Sequence, residues 1–209
     1  KRAKDSLKFL FPKNCPSCGS KTIKEFNSIT KKKDAVRRCT SEGYECEKIS
    51  IEKLKHFVSK EAFNIDGFGK KIVENFWKIK LIRLPYDIFR LDYKKIESLD
   101  GWGKQSVENL ENSINQKKNI SLDRFIYALG IRHIGLENAK LLSKYFKSFS
   151  NFKMISKNKR YNELLNIDGI GETQVNSIKN FFSNDINLEV MDKLEKLINI
   201  KKKPIEEKN

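Results

Sequence analysis

The chain has 209 residues, of which 38% are hydrophobic and 33% are charged, and its formal net charge is +16. This length is enough for one or two modest hydrophobic cores, and the absence of a run of about 18 apolar residues excludes a transmembrane protein and predicts a soluble, cytoplasmic one. The excess of 43 Lys and Arg residues over 27 Asp and Glu residues favours a polyanionic partner.

The first 14 residues predict the end of a preceding domain. Residues 8–12 read Lys-Phe-Leu-Phe-Pro, which is typical of a last strand followed by an exit from a folded domain. Because the chain also begins without methionine, we expect it to be a piece of a longer polypeptide.

The four cysteines are confined to one short segment. Two residues separate Cys15 from Cys18, and six separate Cys39 from Cys46. Two such pairs, brought together by strands at 22–26 and 35–39 across the basic turn Lys31-Lys32-Lys33, predict a tetrahedral structural zinc site with no open position for catalysis. Two disulfides or a redox-active pair are the alternatives, which a cytosolic chain with two cysteine pairs disfavours.

Four short loops of similar sequence follow, at 65–69, 99–103, 131–135 and 167–171. Their last glycines recur with a period of about 34 residues, the length of one helix-turn-helix unit. Apolar residues stand four and seven positions after each of these glycines, which predicts that every loop opens an amphipathic helix. These eight residues are Val73, Phe76, Val107, Leu110, Ala139, Leu142, Val175 and Ile178.

Such loops favour the binding of phosphate groups. Glycine permits positive φ and a close approach of the backbone, and the first turn of a helix offers unpaired N–H groups to an anion. In the third loop His133 replaces the first glycine, so Arg132 and His133 either act as side-chain donors or form an ordinary polar turn. We expect Phe68 and Trp102, which stand between the loop glycines, to pack inward, with insertion into a DNA step as the alternative.

The remaining pattern is helical, and capping residues predict several helix ends. Residues 201–209 have the composition of a mobile linker. The expected helices run from a cap at Ser50 to Val58, from Asp92 to Ser98, from Ser121 to Leu129 and from Asn187 to Leu197.

The sequence contains no motif for catalysis. A Lys-x-Asp-Gly nucleotidyl-acceptor motif is absent, because Asn or Ser stands two residues before each Asp-Gly pair. A P-loop and a His-Glu-x-x-His motif are also absent. The chain has only two histidines, and its four cysteines are assigned to the metal site, so we expect no Ser-His-Asp or Cys-His catalytic set. We expect Asp66, Asp100 and Asp168 to cap the loops rather than to bind Mg²⁺.

Four segments together resemble the C-terminal half of bacterial NAD-dependent DNA ligases, and the likeness extends from about residue 8 to residue 200. In that family a zinc finger and four helix-hairpin-helix motifs follow an adenylation domain and an OB-fold, and precede a BRCT domain. The resemblance therefore implies the end of an OB-fold at 1–14, a four-cysteine zinc finger at 15–49, a mainly α domain of four helix-hairpin-helix motifs at 50–200, and a linker at 201–209. The four segments are CPSCGS at 15–20, LKHFVS at 54–59, NIDGFG at 64–69 and ALGIRHIG at 128–135.

The family resemblance implies an enzyme that seals nicks between a 3′-hydroxyl and a 5′-phosphate during DNA replication and repair, with NAD⁺ and Mg²⁺ as further cofactors. The acceptor lysine and the NAD⁺ site would lie outside this chain, so the chain alone is predicted to be inactive. It would grip the backbone of nicked duplex DNA without sequence preference, as a monomer on the bacterial nucleoid with no membrane contact. The implied DNA-binding residues are Gly67, Gly69, Lys70, Lys71, Gly101, Gly103, Lys104, Arg132, His133, Gly135, Gly169 and Gly171, and the implied zinc ligands are Cys15, Cys18, Cys39 and Cys46.

Two other classes of protein remain open. A non-catalytic module of a repair or recombination protein can also carry tandem helix-hairpin-helix motifs, and a Lys-x-Asp-Gly motif upstream of Lys1 would discriminate against it. A zinc-ribbon protein that binds RNA is a third alternative, which selectivity for A-form duplexes would reveal.

Overall fold

The computed structural model describes residues 10–27 and 31–201. The chain divides into two compact units, and the boundary along the sequence falls between Ile49 and Ser50. Most of these residues are helical. The predicted fold class, a mainly α chain with a small β hairpin beside the cysteines, is confirmed. No helix within the described ranges is long and apolar enough to cross a membrane.

Very short strands organise the first unit. The two antiparallel pairs are β1 (Thr22–Ile23) with β4 (Arg38–Cys39), and β2 (Phe26–Asn27) with β3 (Lys32–Lys33). The predicted turn at 31–33 is therefore wrong for Lys32 and Lys33, because the pairing of β2 with β3 carries the hairpin further than expected. A strand was predicted at 8–12, but residues 10–12 do not form one. Residues 8 and 9 lie outside the described ranges.

The second unit contains the four predicted helix–loop–helix hairpins. It begins at Ser50, inside the first helix of the chain. We number these hairpins 1 to 4 in chain order. In the first and third hairpins both flanking elements are α-helices of seven residues or more, whereas the fourth begins with a 3₁₀ segment. The elements are α1 (Glu47–Val58), α2 (Lys70–Lys78), the 3₁₀ segment Pro85–Arg90, α3 (Tyr93–Glu97), α4 (Lys104–Gln116), α5 (Leu122–Ala128), α6 (Leu136–Phe146), α7 (Phe149–Asn158), the 3₁₀ segment Tyr161–Asn166, α8 (Glu172–Phe182) and α9 (Asp185–Leu197).

The apolar faces of the hairpin helices form the core of the second unit. All eight residues predicted four and seven positions after the loop glycines are buried, with exposures of 5% or less. Aromatic side chains join hairpin 1 to hairpin 3: the rings of Phe57 and Phe63 are 4.3 Å apart, and Phe63 lies 6.4 Å from Phe125. The guanidinium of Arg124 donates to the backbone carbonyls of Lys60 and Ala62. The loops therefore stand on a packed scaffold.

Helix ends follow the predicted caps in part. The carboxylate of Asp92 accepts from the backbone N–H of Lys95, as expected for a cap. Ser121 precedes α5, but its hydroxyl makes no capping hydrogen bond. The predictions for Ser50 and Asn187 are wrong, because both residues lie inside helices and are buried, and Asn184 caps α9 instead.

A parallel strand pair closes the second unit. β5 (Asn119–Ser121) pairs with β6 (Asn199–Lys201), in a register that places Ser121 opposite Lys201. Lys201 therefore belongs to a strand, which corrects its assignment to the linker, and residues 202–209 of that linker lie outside the described ranges.

Candidate functional site

The sulfur atoms of the four cysteines converge in the first unit. The Sγ atoms of Cys15, Cys18, Cys39 and Cys46 all lie within 4.8 Å of one another, with 3.4 Å between Cys18 and Cys39 and 3.9 Å between Cys15 and Cys46. A tetrahedral zinc ion with Zn–S bonds of about 2.3 Å places its sulfurs about 3.8 Å apart, whereas a disulfide requires about 2.0 Å. All four cysteines are unbridged, and the group could hold a metal ion.

The backbone around the first cysteine pair forms the tight turn that two ligands on one ion need. The N–H of Gly19 donates to the carbonyl of Cys15 at 2.8 Å, and the N–H of Cys15 donates to Ser20 at 2.7 Å. Gly19 has a φ of +76°, a conformation that residues with a side chain rarely adopt. This turn directs Cys15 and Cys18 toward the same point.

Two serines, which sequence reasoning missed, surround the sulfurs. Ser41 Oγ lies 3.3 Å from the Cys18 sulfur and 2.9 Å from Ser20 Oγ. Hydrogen bonds from Ser20 and then Ser41 lower the pKa of Cys18 to about 5 and so favour its thiolate, the form that binds metal. Ser41 also lowers the pKa of Cys39, but burial and the neighbouring sulfurs raise it above its ordinary value. The repeated Cys-x-Ser pattern at 18–20 and 39–41 is the signal that could have identified both serines.

The four hairpin loops share one backbone conformation. In each loop the fourth residue donates its N–H to the carbonyl of the first, at distances from 2.9 to 3.2 Å. The third residue is left-handed in every copy, with φ of +77° at Gly67, +78° at Gly101, +59° at His133 and +88° at Gly169. His133 therefore reproduces the glycine conformation, and the departure in the third sequence motif does not change the path of the loop.

The last glycine of each loop is the residue before the following helix, and it is exposed. Its φ lies between −72° and −108° in the four copies, a range that any residue adopts. A Cβ atom at Gly69, Gly103 or Gly135 would meet nothing within 4 Å. The fold does not require glycine at these three positions, and the missing side chain leaves room for a ligand at the first amides of the helix.

The loops differ in the charge that surrounds these amides. Helix α2 begins with Lys70 and Lys71, and α4 begins with Lys104, all exposed. By contrast, the first turns of α6 and α8 contain Glu137 and Glu172. The first turns of α2 and α4 therefore carry positive charge, whereas those of α6 and α8 each contain a glutamate.

Hairpin 4 differs from hairpins 1 and 2 in a further way. The N–H of Gly171 donates to Gln174 Oε1 at 3.2 Å, so one of its loop amides already has a partner within the chain. A Cβ at Gly169 would approach Leu141 Cδ1 at 3.0 Å, which means that this loop also packs against α6. An anion at hairpin 4 would compete with the glutamine side chain.

Hairpin 3 is tied to hairpin 4 through His133. The ring atom Nδ1 of His133 lies 3.0 Å from Ser177 Oγ on α8, and the side-chain amide of Asn138 donates to the His133 carbonyl at 3.0 Å. Arg132 takes the position of the aspartates in the other three loops, and both Arg132 and His133 are exposed. The carboxylates of Asp66, Asp100 and Asp168 make no hydrogen bond to the described part of the chain, so the capping role expected for them is wrong.

Comparison with known proteins adds a family to this geometry. A model of the helix-hairpin-helix motif matches residues 124–191, which include the third and fourth loops. The chain is 66% identical over 201 residues to a protein of Pelagibacter ubique that is named DNA ligase, and the match covers 96% of this chain. This chain is homologous to one segment of the DNA ligases. The resemblance to DNA ligases noted in the sequence is therefore confirmed.

Two further proteins named DNA ligase match nearly the whole chain at lower identity. One from Rickettsia bellii is 44% identical and covers 96% of the chain, and one from Parvibaculum lavamentivorans is 41% identical and covers 92%. The chain spans about 30% of the length of these DNA ligases. The segment shared with them contains both the four-cysteine group and the four hairpin loops.

Proposed function

We propose that this chain is the DNA-gripping part of a bacterial NAD-dependent DNA ligase, which seals nicks between 3′-hydroxyl and 5′-phosphate ends in duplex DNA during replication and repair. The adenylated lysine, the NAD⁺ site and the Mg²⁺ that supports the chemistry lie outside this chain, which alone does not ligate. The chain acts as a monomer on the nucleoid in the cytoplasm and has no membrane partner.

The observation that carries this proposal is the glycine that ends each loop. At Gly69, Gly103 and Gly135 the fold does not need a glycine, and each precedes a helix of nine residues or more, so the missing side chain leaves the first-turn amides accessible to a phosphate. Backbone amides read no base, so the grip is independent of DNA sequence. The DNA-binding residues of hairpins 1 and 2 are Gly67, Gly69, Lys70, Lys71, Gly101, Gly103 and Lys104, and those of hairpins 3 and 4 are Arg132, His133, Gly135, Gly169 and Gly171.

In this proposal the first unit is a zinc finger. The ion would be held by the sulfurs of Cys15, Cys18, Cys39 and Cys46, with Ser20 and Ser41 as hydrogen-bond donors to the sulfurs. When bound, the ion supplies structural cross-linking rather than catalysis, because the four thiolates complete its tetrahedral shell. We further propose the division into the end of an OB-fold at 1–14, the zinc finger at 15–49 and the hairpin domain at 50–200.

The decisive experiment is binding of the chain to labelled nicked, intact and single-stranded DNA of scrambled sequence at two salt concentrations. Bound metal is measured on the same sample. We expect duplex binding that is independent of sequence and weakens with salt, with one zinc ion per chain. Absence of duplex binding by a zinc-loaded sample would contradict the proposal.

We expect the loop lysines to account for part of the salt dependence. If about four phosphates are neutralised, log K falls with log salt at a slope of roughly −3.6. The double variant Lys70→Ala/Lys104→Ala should reduce that slope by about 2, because each lysine releases about one counterion. The matched control Lys144→Ala/Lys157→Ala removes two exposed lysines away from the loops and should leave the slope unchanged. Equal slopes for the two double variants would show that Lys70 and Lys104 do not contact DNA phosphates.

A non-catalytic repair module with tandem hairpins is the second candidate. It rests on the lack of any catalytic motif in this chain. The high similarity to DNA ligases over nearly the whole chain favours the ligase. Sequencing of the gene upstream of Lys1 discriminates between the two, because a ligase requires a Lys-x-Asp-Gly motif there.

A further inference from the structure

A groove of about 510 Å³ lies between the first two hairpins, within the second unit. Gly67 and Gly101, the left-handed glycines of two loops, both line it. Its volume is within the range of pockets that bind small ligands. If the loops hold DNA phosphates as proposed above, a nucleotide that belongs to the same strand reaches the mouth of this groove.

The lining of the groove combines apolar and polar side chains. Ile72 and Leu110 provide aliphatic surface, and the half-buried indole of Trp102 is supported from behind by Phe76, whose ring centre is 5.6 Å away. The exposed side chains of Asp66 and Asn109 add an acceptor and an amide. This combination suits a flat heteroaromatic ring with hydrogen-bonding edges.

One polar group of the groove has no partner. Ser113 lines the groove and is 8% exposed, and its hydroxyl makes no hydrogen bond within the described part of the chain. A buried hydroxyl without a partner is costly, and such groups are found where a water molecule or a ligand completes the site. The Ser113 Oγ atom is itself buried, as are the unpartnered Oγ atoms of Ser59 and Ser143, so a ligand reaches it only if this side chain or its neighbours move.

The charge of the groove selects the class of ligand. Asp66 makes no ion pair with the described residues, so its carboxylate repels a phosphate that enters the groove itself. The same carboxylate accepts hydrogen bonds from exocyclic amino groups. A neutral ring with an amino group is favoured, and the nucleobases adenine, cytosine and guanine meet this description, whereas thymine does not.

We propose that this groove binds an unstacked nucleobase, with preference for a base that carries an amino group. The proposal rests on the DNA-binding function above and adds to it a base contact beside the backbone grip. Trp102 stacks on the base, Asp66 accepts from its amino group, and Asn109 provides a further polar partner. The base comes from a DNA strand that passes between the two loops.

The test compares three duplexes that are identical except for one extra residue on one strand: adenine, thymine or an abasic residue. The abasic duplex retains the bend of a bulge but lacks a base. We expect the complete chain to bind the adenine bulge about five- to tenfold more tightly than the abasic bulge, and the thymine bulge to lie between them. A fully paired duplex is measured in parallel, because loss of its binding reports failure of the backbone function and not of the groove.

A matched pair of variants assigns the effect to the groove. Asp66→Asn should abolish the preference for adenine over thymine, whereas Asp168→Asn, the equivalent position in hairpin 4, should leave it unchanged. Both side chains are exposed and both substitutions raise the net charge by one, so the two variants control for folding and for overall electrostatics. In the Trp102→Leu variant, the duplexes with the adenine bulge and the abasic bulge should bind with equal affinity.

Free adenosine distinguishes the source of the base. Titration of adenosine alone at millimolar concentration, followed by the NMR signal of the Trp102 indole, should give no saturation, because the loops are expected to deliver the base as part of a strand. Saturable binding of adenosine without any preference among the bulged duplexes would overturn DNA as the source. Equal affinities for adenine and abasic bulges, with no adenosine binding and with the paired duplex still bound, would overturn the nucleobase site.

Discussion

Replacement of Gly69 and Gly103 by aspartate is expected to lower the affinity for duplex DNA about a hundredfold and to leave the helical unit at least as stable. Both positions precede a helix with ordinary φ and with open space around the missing Cβ, so the fold accepts a side chain. Aspartate is among the best residues at this position, because its carboxylate accepts from the first-turn amides. It would occupy the amides that a phosphate needs and would repel the phosphate. Hydrogen bonds to charged groups contribute about 1.5–3 kcal/mol each. Loss of one such bond to phosphate at each of two loops therefore corresponds to a fall in affinity of about a hundredfold.

The matched control for this experiment is Ser148→Asp/Asn184→Asp. These residues precede α7 and α9, where they already cap the helix, and neither belongs to a hairpin loop. The control adds the same two negative charges at the same helical position. Equilibrium titration with duplex DNA, together with thermal unfolding followed by circular dichroism, measures both effects. Equal losses of affinity in the two double variants would mean that net charge, and not the loops, governs binding.

The left-handed glycines are a poorer choice for this test. Substitution at Gly67 or Gly101 forces a side chain into a φ near +77° or +78°, which strains the loop whether or not DNA is present. At Gly169 a side chain would also meet Leu141. A loss of affinity at these positions therefore mixes folding with binding, whereas Gly69 and Gly103 separate them.

The repeated hairpins could be predicted from sequence because their signals are local. A glycine-containing loop and apolar residues four and seven positions later are set by the geometry of one loop and two turns of helix. Each copy repeats the same relation, so the period reinforces the prediction. The conformation of His133 was harder to predict, because a histidine in the left-handed region is supported by tertiary contacts such as the one to Ser177.

Other features depended on contacts that a local pattern does not contain. Asn184 and Asn187 are equally good caps by residue type, and only the burial of Asn187 on the Phe181 carbonyl decides between them. The pairing of β5 with β6 joins segments 80 residues apart, so residue 201 could not be distinguished from linker by composition. The groove between hairpins 1 and 2 likewise arises from the packing of two hairpins of the second unit and not from a local motif.

Removal of metal is expected to unfold the first unit and to leave the helical unit folded. The described part of the first unit, residues 10–27 and 31–49, contains almost no apolar core: its buried residues are Thr22, Gly43 and Cys46. Leu10, Phe11, Phe26 and Val36 are at least 50% exposed, and the strands are two residues long. Burial and strand pairing therefore contribute little, and in the proposed zinc finger the metal–sulfur bonds would provide most of the folding free energy, which is about 10–16 kcal/mol in zinc-finger peptides.

Treatment of the complete chain with a strong chelator should release about one zinc ion and expose the amides of the first unit to hydrogen exchange. Most of the helical circular dichroism should persist, because the core of the second unit contains no cysteine. Cys18→Ala should reproduce the effect of the chelator, whereas Ser17→Ala, at an exposed neighbour within the same turn, should retain metal and protection. Protection that survives metal release would show that contacts other than the sulfur ligands hold this unit, and the four cysteines would then require a different explanation, such as a role in redox chemistry.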